Sequence, residues 1–344
     1  MKTKLDKYFR ISQRGSTIGT ELIGGATTFA TMAYILAYMT GAMSAVPGID
    51  LTGVLLCTAL ITAISCIAMG LVANAPIALA PVLVIPNLVA GMVASGEATY
   101  GQAFGTVAIS GIVFLLISVF KLRDLFARSL PKNIKIGIGG AVGLLIASIG
   151  LNTSGLAAAG EDGSFINFSD KSVQLGLIGL AIALLLTYLK ITVNGRTYKI
   201  KGALLISIVL TTIIGIPMGV TVLPENIFTR GALASIGNVA FQVDILGALK
   251  LSFVPFIIML LINDFFGTLG TGLAMAGKAG LLDEDGNFPA FGKVFLVDSS
   301  ATILGSLFGI TTVSCFAESA AGVESGSRTG LSNLSTAFFF LLCM

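Results

Sequence analysis

Apolar runs close to 20 residues long recur along the chain, separated by short polar segments. They predict spans at 20–46, 51–73, 77–94, 102–120, 133–150, 172–189, 202–220, 246–275, 292–309 and 311–325, with an eleventh starting near 332. Each run is long enough, or nearly so, to cross a bilayer as a helix. The runs are continuous and do not alternate, so they predict helices and not a barrel. Two runs break the helical pattern in the same way. In APIALAPVLVIPNLVAGMV (75–93) the β-prone VLVI is flanked by Pro81 and Pro86. In GITTVSCFAESAAGV (309–323) the β-branched ITTV comes first. Both predict a short extended stretch followed by a half-helix.

These two segments lie about 230 residues apart. The same offset sets span one, TTFATMAYILAYM, against span eight, FIIMLLINDFFGT. Paired interrupted segments in two halves point to an inverted-repeat transporter with a site near the bilayer midplane. If spans one to seven form one repeat, the second would end near position 450, about 100 residues beyond Met344. The sequence stops inside span eleven, at STAFFFLLCM. It is therefore expected to be a C-terminally truncated or fragmentary form.

Composition agrees with the pattern. Of 344 residues, 55% are hydrophobic and 11% charged, and the mean hydropathy is +0.96. A soluble domain carries about 25% charge, so an integral membrane protein is expected. The net charge of +3 says less than its distribution. Basic residues gather in the N-terminus (Lys2, Lys4, Lys7, Arg10, Arg14), after span four (Lys121, Arg123, Arg128, Lys132, Lys135) and after span six (Lys190, Arg196, Lys199, Lys201). Lys278, Lys293 and Arg328 follow on the same side. The opposite segments are poor in Lys and Arg: 95–101 has none, 151–171 has Lys171 alone, and 221–245 has Arg230 alone. This positive-inside pattern predicts a multi-pass protein of the inner (plasma) membrane with a cytoplasmic N-terminus. No cleavable signal is evident.

Several chemistries drop out. With no histidine, His acid–base catalysis, Ser-His triads and His-bound metal are excluded. Cys57, Cys66, Cys315 and Cys343 all sit in apolar stretches, and they read as small core residues. No metal-ligand spacing, nucleophile elbow or phosphate loop is present. No catalytic residue, metal or cofactor is expected, and the chain does not read as an enzyme. A channel would need rings of repeated ligands, and none occur. Against this background Asp264 and Glu318 stand out, each a carboxylate inside a long apolar run. A charge in the bilayer costs a few kcal/mol at least, about 3 on insertion scales, so such residues face a partner, a cavity or a transported solute. Glu21 and Asp298 also border apolar runs, near expected membrane ends, and they read as interfacial or structural.

At these residues the chain resembles the AzgA-like branch of the nucleobase:cation symporter-2 family, the purine permeases. The similar stretches are TTFATMAYI (27–35), ANAPIALAP (73–81), LPKNIKIGIGGAVGLLIASIGLNTSG (130–155), AGLLDEDGNFP (279–289) and TTVSCFAESAAGVESGSRTGL (311–331). The resemblance implies an all-α polytopic fold of two inverted seven-span repeats, with short strands in spans three and ten. It would divide the chain into a cytoplasmic N-terminus (1–19), core spans one to four (20–130), gate spans five to seven (131–225) and core spans eight to eleven (226–344). The last gate spans would be absent. It implies a secondary active transporter that imports a nucleobase, most readily a purine, with proton symport. A same-fold transporter of another small polar or anionic solute, or an inactive fragment, is the alternative. The expected partners are the purine substrate, protons, the lipid bilayer and a second copy in a homodimer, with no nucleic acid.

The family's base-binding glutamate falls on Glu318, and the first acid of its span-eight motif falls on Asp264. The second acid of that motif falls on Gly267. The span-three motif is altered, with Val82 and Val84 at glycine positions and Pro86 at the asparagine position, followed by Asn87. Glu318 would accept hydrogen bonds from N–H groups of a base, or serve as a helix-capping or interhelical structural acid. It should also open a half-helix, where backbone N–H groups favour an anion. Asp264 is the candidate proton carrier, with Thr268 or Thr271 as alternative structural partners, and Asn263 lies about 100° round the helix from it. Asp264 and Glu318 are both assigned to substrate binding and to proton coupling, in one pocket. Phe316 would stack on a planar base or simply pack. Tyr34 would line the pocket or be an interfacial or core tyrosine, Cys315 would line it or pack as a small core residue, and Asn87 would be either an N-terminal cap or a ligand donor.

Overall fold

The computed structural model describes residues 4–120, 144, 147–148, 150–151, 154–156, 167–193, 196–199, 203–221, 232–284 and 286–344. Almost all of the expected span 133–150, the basic residues between Lys121 and Lys135, and Lys201 and Arg230 lie outside them. The chain divides into two compact units: residues 1–139 with 230–344, and residues 140–229.

In the first unit the helices are α1 (Lys4–Phe9), α2 (Ile18–Met32), α3 (Tyr34–Met43), α4 (Leu51–Ala68), α5 (Val84–Ala94) and α6 (Tyr100–Val119). The second unit holds α7 (Lys171–Tyr188), strands β2 (Lys190–Val193) and β3 (Arg196–Lys199), and α8 (Ala203–Met218). The first unit then resumes with α9 (Ile245–Ala248), α10 (Val254–Lys278), α11 (Phe291–Leu307), α12 (Ser319–Glu324) and α13 (Leu331–Leu342). Strands β1 (Leu79–Pro81) and β4 (Val313–Cys315) precede α5 and α12. Among the described residues, five helical segments are long and apolar enough to cross a membrane: 18–43, 51–73, 100–119, 171–188 and 251–278.

Local sequence explains the helix ends. Thr17, Asp50, Thr99 and Asp170 each accept a backbone N–H in the first turn that follows them, at α2, α4, α6 and α7. Thr99 and Gln102 form a full capping box. Pro255 opens α10, where its missing N–H costs nothing. The first expected span is two helices, broken at Ala33. The second ends in a π-helical turn, Met69–Ala73, and Asn74 follows it with φ +47°.

The extended stretches expected in spans three and ten are present, and they pair. β1 and β4 run antiparallel in the register Leu79↔Cys315, Ala80↔Ser314 and Pro81↔Val313. Within hydrocarbon an unpaired backbone amide costs several kcal/mol, on the order of 4 or more, so two broken helices must satisfy one another. Val82 N–H donates to Thr312 O (2.9 Å) and Phe316 N–H to Ala78 O (2.9 Å), extending the ladder at both ends. The Ala78 N–H goes to the Ser319 hydroxyl (2.9 Å).

Around this crossing the core is dense with aromatic and Met side chains. Phe265 and Phe295 both pack edge-on against Phe114. Helices α2 and α13 meet through hydroxyls, Ser335 donating to Leu22 O and Thr336 to Gly25 O. Where the π turn passes the loop before α13, a Cβ on Gly70 would lie 2.5 Å from Gly330 O, so no side chain fits there. In the second unit, α7 and α8 pack through Ser207, which donates to Gly179 O (3.2 Å). The β2–β3 hairpin was not expected from the sequence, which read 190–201 as a basic loop.

Candidate functional site

The β1–β4 crossing places the chemistry of the first unit. It interrupts two helical paths and turns a short helix away from each strand. Glu318 occupies the position just before α12, with helical backbone angles (φ −61°, ψ −17°). Its side chain makes no capping bond, and α12 is only six residues long, so the expected help from a helix N-terminus is not part of the site. Instead Tyr34, the first residue of α3, donates its phenol hydroxyl to Glu318 Oε1 at 2.6 Å. The Thr31 hydroxyl lies 3.3 Å from Glu318 O. The break at Ala33 brings Thr31 and Tyr34 to this point. Glu318 is half-buried and Tyr34 is 37% exposed, so the carboxylate remains reachable. Beside it the Phe316 ring is buried, 6.4 Å from the Tyr34 ring centroid and tilted by 38°.

Asn87 is not a cap. Helix α5 already starts at Val84, with Pro86 in its first turn, so Asn87 comes too late to serve the free N–H groups. Its amide donates to Tyr38 Oη (2.7 Å), and Tyr38 in turn donates to Leu83 O (2.5 Å). Asn87 is exposed, like Tyr34. Cys315 is a buried strand residue opposite Leu79.

Asp264 sits differently. It lies mid-way along α10, only 1% exposed, and accepts the Thr302 hydroxyl from α11 at 3.0 Å. The expected structural partners Thr268 and Thr271 do not bond it. Thr268 donates to Asp298 instead, because it stands one turn further along α10, level with Asp298 on α11. Asp264 and Glu318 are not hydrogen-bonded to each other: one is sealed among hydroxyls, the other opens beside aromatic rings. The same helix exposes Asn263 while burying Asp264, as their angular offset requires. Gly267 leaves room: a Cβ there would meet only Ser314 Oγ, at 3.7 Å.

Two sequence readings need correction or narrowing. Asp298 is not interfacial; it is fully buried, because α11 carries it into the centre of the unit against α10. Glu21 is also fully buried and is structural, accepting the N–H groups of Arg328 (2.8 Å) and Thr329 (3.2 Å) before α13. The sequence reading missed Asp298, Thr302, Ser314 and Tyr38. A signal for two of them was present: D-x-x-x-T occurs at Asp264–Thr268 and again at Asp298–Thr302. Elsewhere in the unit, a groove of about 590 Å³ is lined by Leu88, Met92, Phe253, Phe256 and Met259 with Glu97; neither Asp264 nor Glu318 lines it.

Comparison with known proteins agrees with this architecture. A model of the Permease family matches residues 19–344. The chain is 32% identical to the adenine permease AdeP of Escherichia coli K12, covering 98% of this chain and 74% of that protein. It is 31% identical to the guanine/hypoxanthine permease GhxP of Escherichia coli O157:H7, covering 99% and 75%. Among solved structures it resembles the transmembrane domain of the cyanobacterial bicarbonate transporter BicA, with TM-score 0.56 and 18% identity over 94% of this chain and 81% of that one. It also resembles SLC26A9, with TM-score 0.58 and 15% identity over 100% and 55%. These two likenesses speak for the fold alone. The chain belongs to the Permease family: it is a multi-pass membrane transporter with an all-α polytopic fold, and not an enzyme.

Proposed function

We propose that this nucleobase transporter takes up a purine by proton symport, with Glu318 as the base-binding acid and Asp264 as the proton carrier. The single observation that carries the reading is the Glu318 environment. A carboxylate inside the membrane is left partly open, oriented by one 2.6 Å hydrogen bond from Tyr34, with two aromatic rings alongside. That arrangement suits a flat heterocycle presenting N–H groups: the free carboxylate oxygen accepts, and the rings cover a π face. Buried polar groups that go unpaired with the wrong ligand supply discrimination. Adenine and guanine/hypoxanthine permeases among the relatives support a purine as the base.

Asp264 supports the coupling half. It is closed off from a purine-sized ligand but bonded to hydroxyls, which pass protons readily. In this reading residues 20–130 and 226–344 form the moving core, 131–225 the gate, and the N-terminus lies in the cytoplasm. Alternating access carries the β1–β4 crossing between the two membrane faces.

The test is uptake of radiolabelled adenine, guanine, hypoxanthine and uracil by proteoliposomes under an imposed pH gradient. The expected result is saturable purine uptake that is stimulated by an inward proton gradient and abolished by a protonophore. Uptake of uracil alone, or purine uptake indifferent to the protonophore, would reject the corresponding half of the proposal.

A further inference from the structure

Asp264 and Asp298 form a reciprocal arrangement. Asp264 and Thr268 lie one turn apart on α10; Asp298 and Thr302 lie one turn apart on α11. Each aspartate accepts from the threonine of the opposite helix: Thr302 donates to Asp264 Oδ2 (3.0 Å), and Thr268 donates to Asp298 Oδ2. β4 closes the box. Ser314 Oγ lies 2.7 Å from Thr268 Oγ1, and Thr302 Oγ1 lies 2.9 Å from Val313 O while accepting Val313 N–H at 3.1 Å.

Counting protons shows what the box lacks. Thr268 has one hydroxyl proton: when it goes to Asp298, Ser314 donates to Thr268, and when Asp298 carries the shared proton the direction reverses and Thr268 can donate to Ser314, which also faces Asp264. Thr302 has one proton and two acceptors, Asp264 Oδ2 and Val313 O. Oδ1 of Asp264 and Oδ1 of Asp298 are both buried with no hydrogen-bond partner. Both residues are sealed, at 1% and 0% exposure. The titratable neighbours are the Cys315 thiol from β4 and, next to it, the Cys66 thiol from α4. α6 contributes Phe114 through its contacts with Phe265 and Phe295. Among the described residues no Lys or Arg pairs with either aspartate; the ion pair present, Lys278–Glu324, lies at the surface. Two carboxylates that interact in a dry interior cannot both carry charge, and their protons belong to the pair and not to either residue. A stored proton also neutralises one buried carboxylate and so removes the cost of keeping that charge away from water.

We propose that Asp264 and Asp298 share a single exchangeable proton, so that Asp298 is the second half of the coupling site. The hydroxyl box keeps both carboxylates in place while the proton passes between them, and Ser314 ties the box to β4. Loading and unloading are then linked to movement of the crossing strands that carry the base site. This deepens the reading of Asp264 as the proton carrier and rests on it.

The pair can be tested without any substrate. Infrared spectra of the purified full chain in lipid, titrated with acid and base, would resolve the carbonyl band of a protonated buried carboxyl. The wild type is expected to show one such titrating band of one-proton intensity. Asp298→Asn and Asp264→Asn are each expected to remove it or to move its midpoint by at least about tenfold in proton concentration. Glu318→Gln serves as the comparison and should leave that midpoint in place. Thr302→Val, a milder change, should shift it less. Melting curves on each variant establish that the chain is folded. A band with an unaltered midpoint in folded Asp298→Asn would overturn the proposal, as would two one-proton bands of which Asp264→Asn removes only one and Asp298→Asn only the other. A midpoint that moves with sodium ion at constant pH would overturn it in favour of a bound metal ion. Adenine exchange by the same wild-type sample tests the substrate reading separately. Exchange without the shared band rejects the pair alone, and the shared band without exchange of any nucleobase rejects the purine assignment alone.

Discussion

Glu318 and Asp264 are both carboxylates within the membrane, and both lie close to the same strand, yet their surroundings are opposed. Glu318 is half open, held by a phenol and flanked by two rings. Asp264 is closed, held by a threonine and facing a second aspartate across a box of hydroxyls. In the proposed account the first acid meets the base and the second only a proton. The contrast separates two jobs that the sequence reading had given jointly to both residues. One strand, β4, carries Ser314 into the hydroxyl box and leads within four residues to Glu318, so the proposed proton and base sites share one element.

The largest effect is expected from Glu318→Gln. Replacing one acceptor of a charge-assisted pair with an amide donor should weaken purine binding about 100-fold, measured as equilibrium binding of labelled base. A loss of less than about threefold would place the base elsewhere. Next comes Asp264→Asn, which should cut accumulation driven by a pH gradient by at least about tenfold while altering purine affinity far less. An affinity loss as large as that of Glu318→Gln would erase the division of labour. Tyr34→Phe sharpens the picture on the open side. It removes the 2.6 Å bond that aims Glu318, at a cost of about 1 kcal/mol or fivefold in affinity, with the pH response unchanged.

The smallest effect belongs to an acid outside the membrane. Asp50 caps α4, and the Asn238 amide at 2.9 Å, followed by the Gly53 N–H, holds its carboxyl below the usual carboxylate range. A group depressed in this way adds stability above its unfolded value and loses it as the pH falls through its lower folded value. Asp50→Ala should therefore cost about 1 kcal/mol at neutral pH from the lost cap. The gap to wild type should close in strong acid, while purine affinity does not change.

Much of the architecture was legible because bilayer physics leaves few options. Continuous apolar runs read as spans, and the Pro-flanked VLVI and the β-branched ITTV announced the two extended stretches. That the two stretches pair with each other was not read from the sequence; the β1–β4 register shows it. Glu318 and Asp264 were conspicuous as lone acids in apolar runs. Tertiary placement was not legible. Asp298 lies near the start of its run and looked like a membrane-end residue; the repeated D-x-x-x-T spacing was its one sequence signal, and it does not show that α11 carries the residue into the centre. Asn87 looked like a cap because Pro86 precedes it, but the helix begins two residues before that proline. The antiparallel pairing of β2 with β3 was also missed. The positive charges around it drew the reading toward a loop.

The central claim is that one acid holds the base and the other the proton. Equilibrium binding of labelled adenine to the purified full chain, measured across pH for wild type, Glu318→Gln and Asp264→Asn, tests it most directly. The account predicts that affinity collapses in Glu318→Gln at every pH, and that Asp264→Asn still binds but with a flattened pH dependence. Affinity lost equally in both variants, or lost in Asp264→Asn and kept in Glu318→Gln, would contradict it.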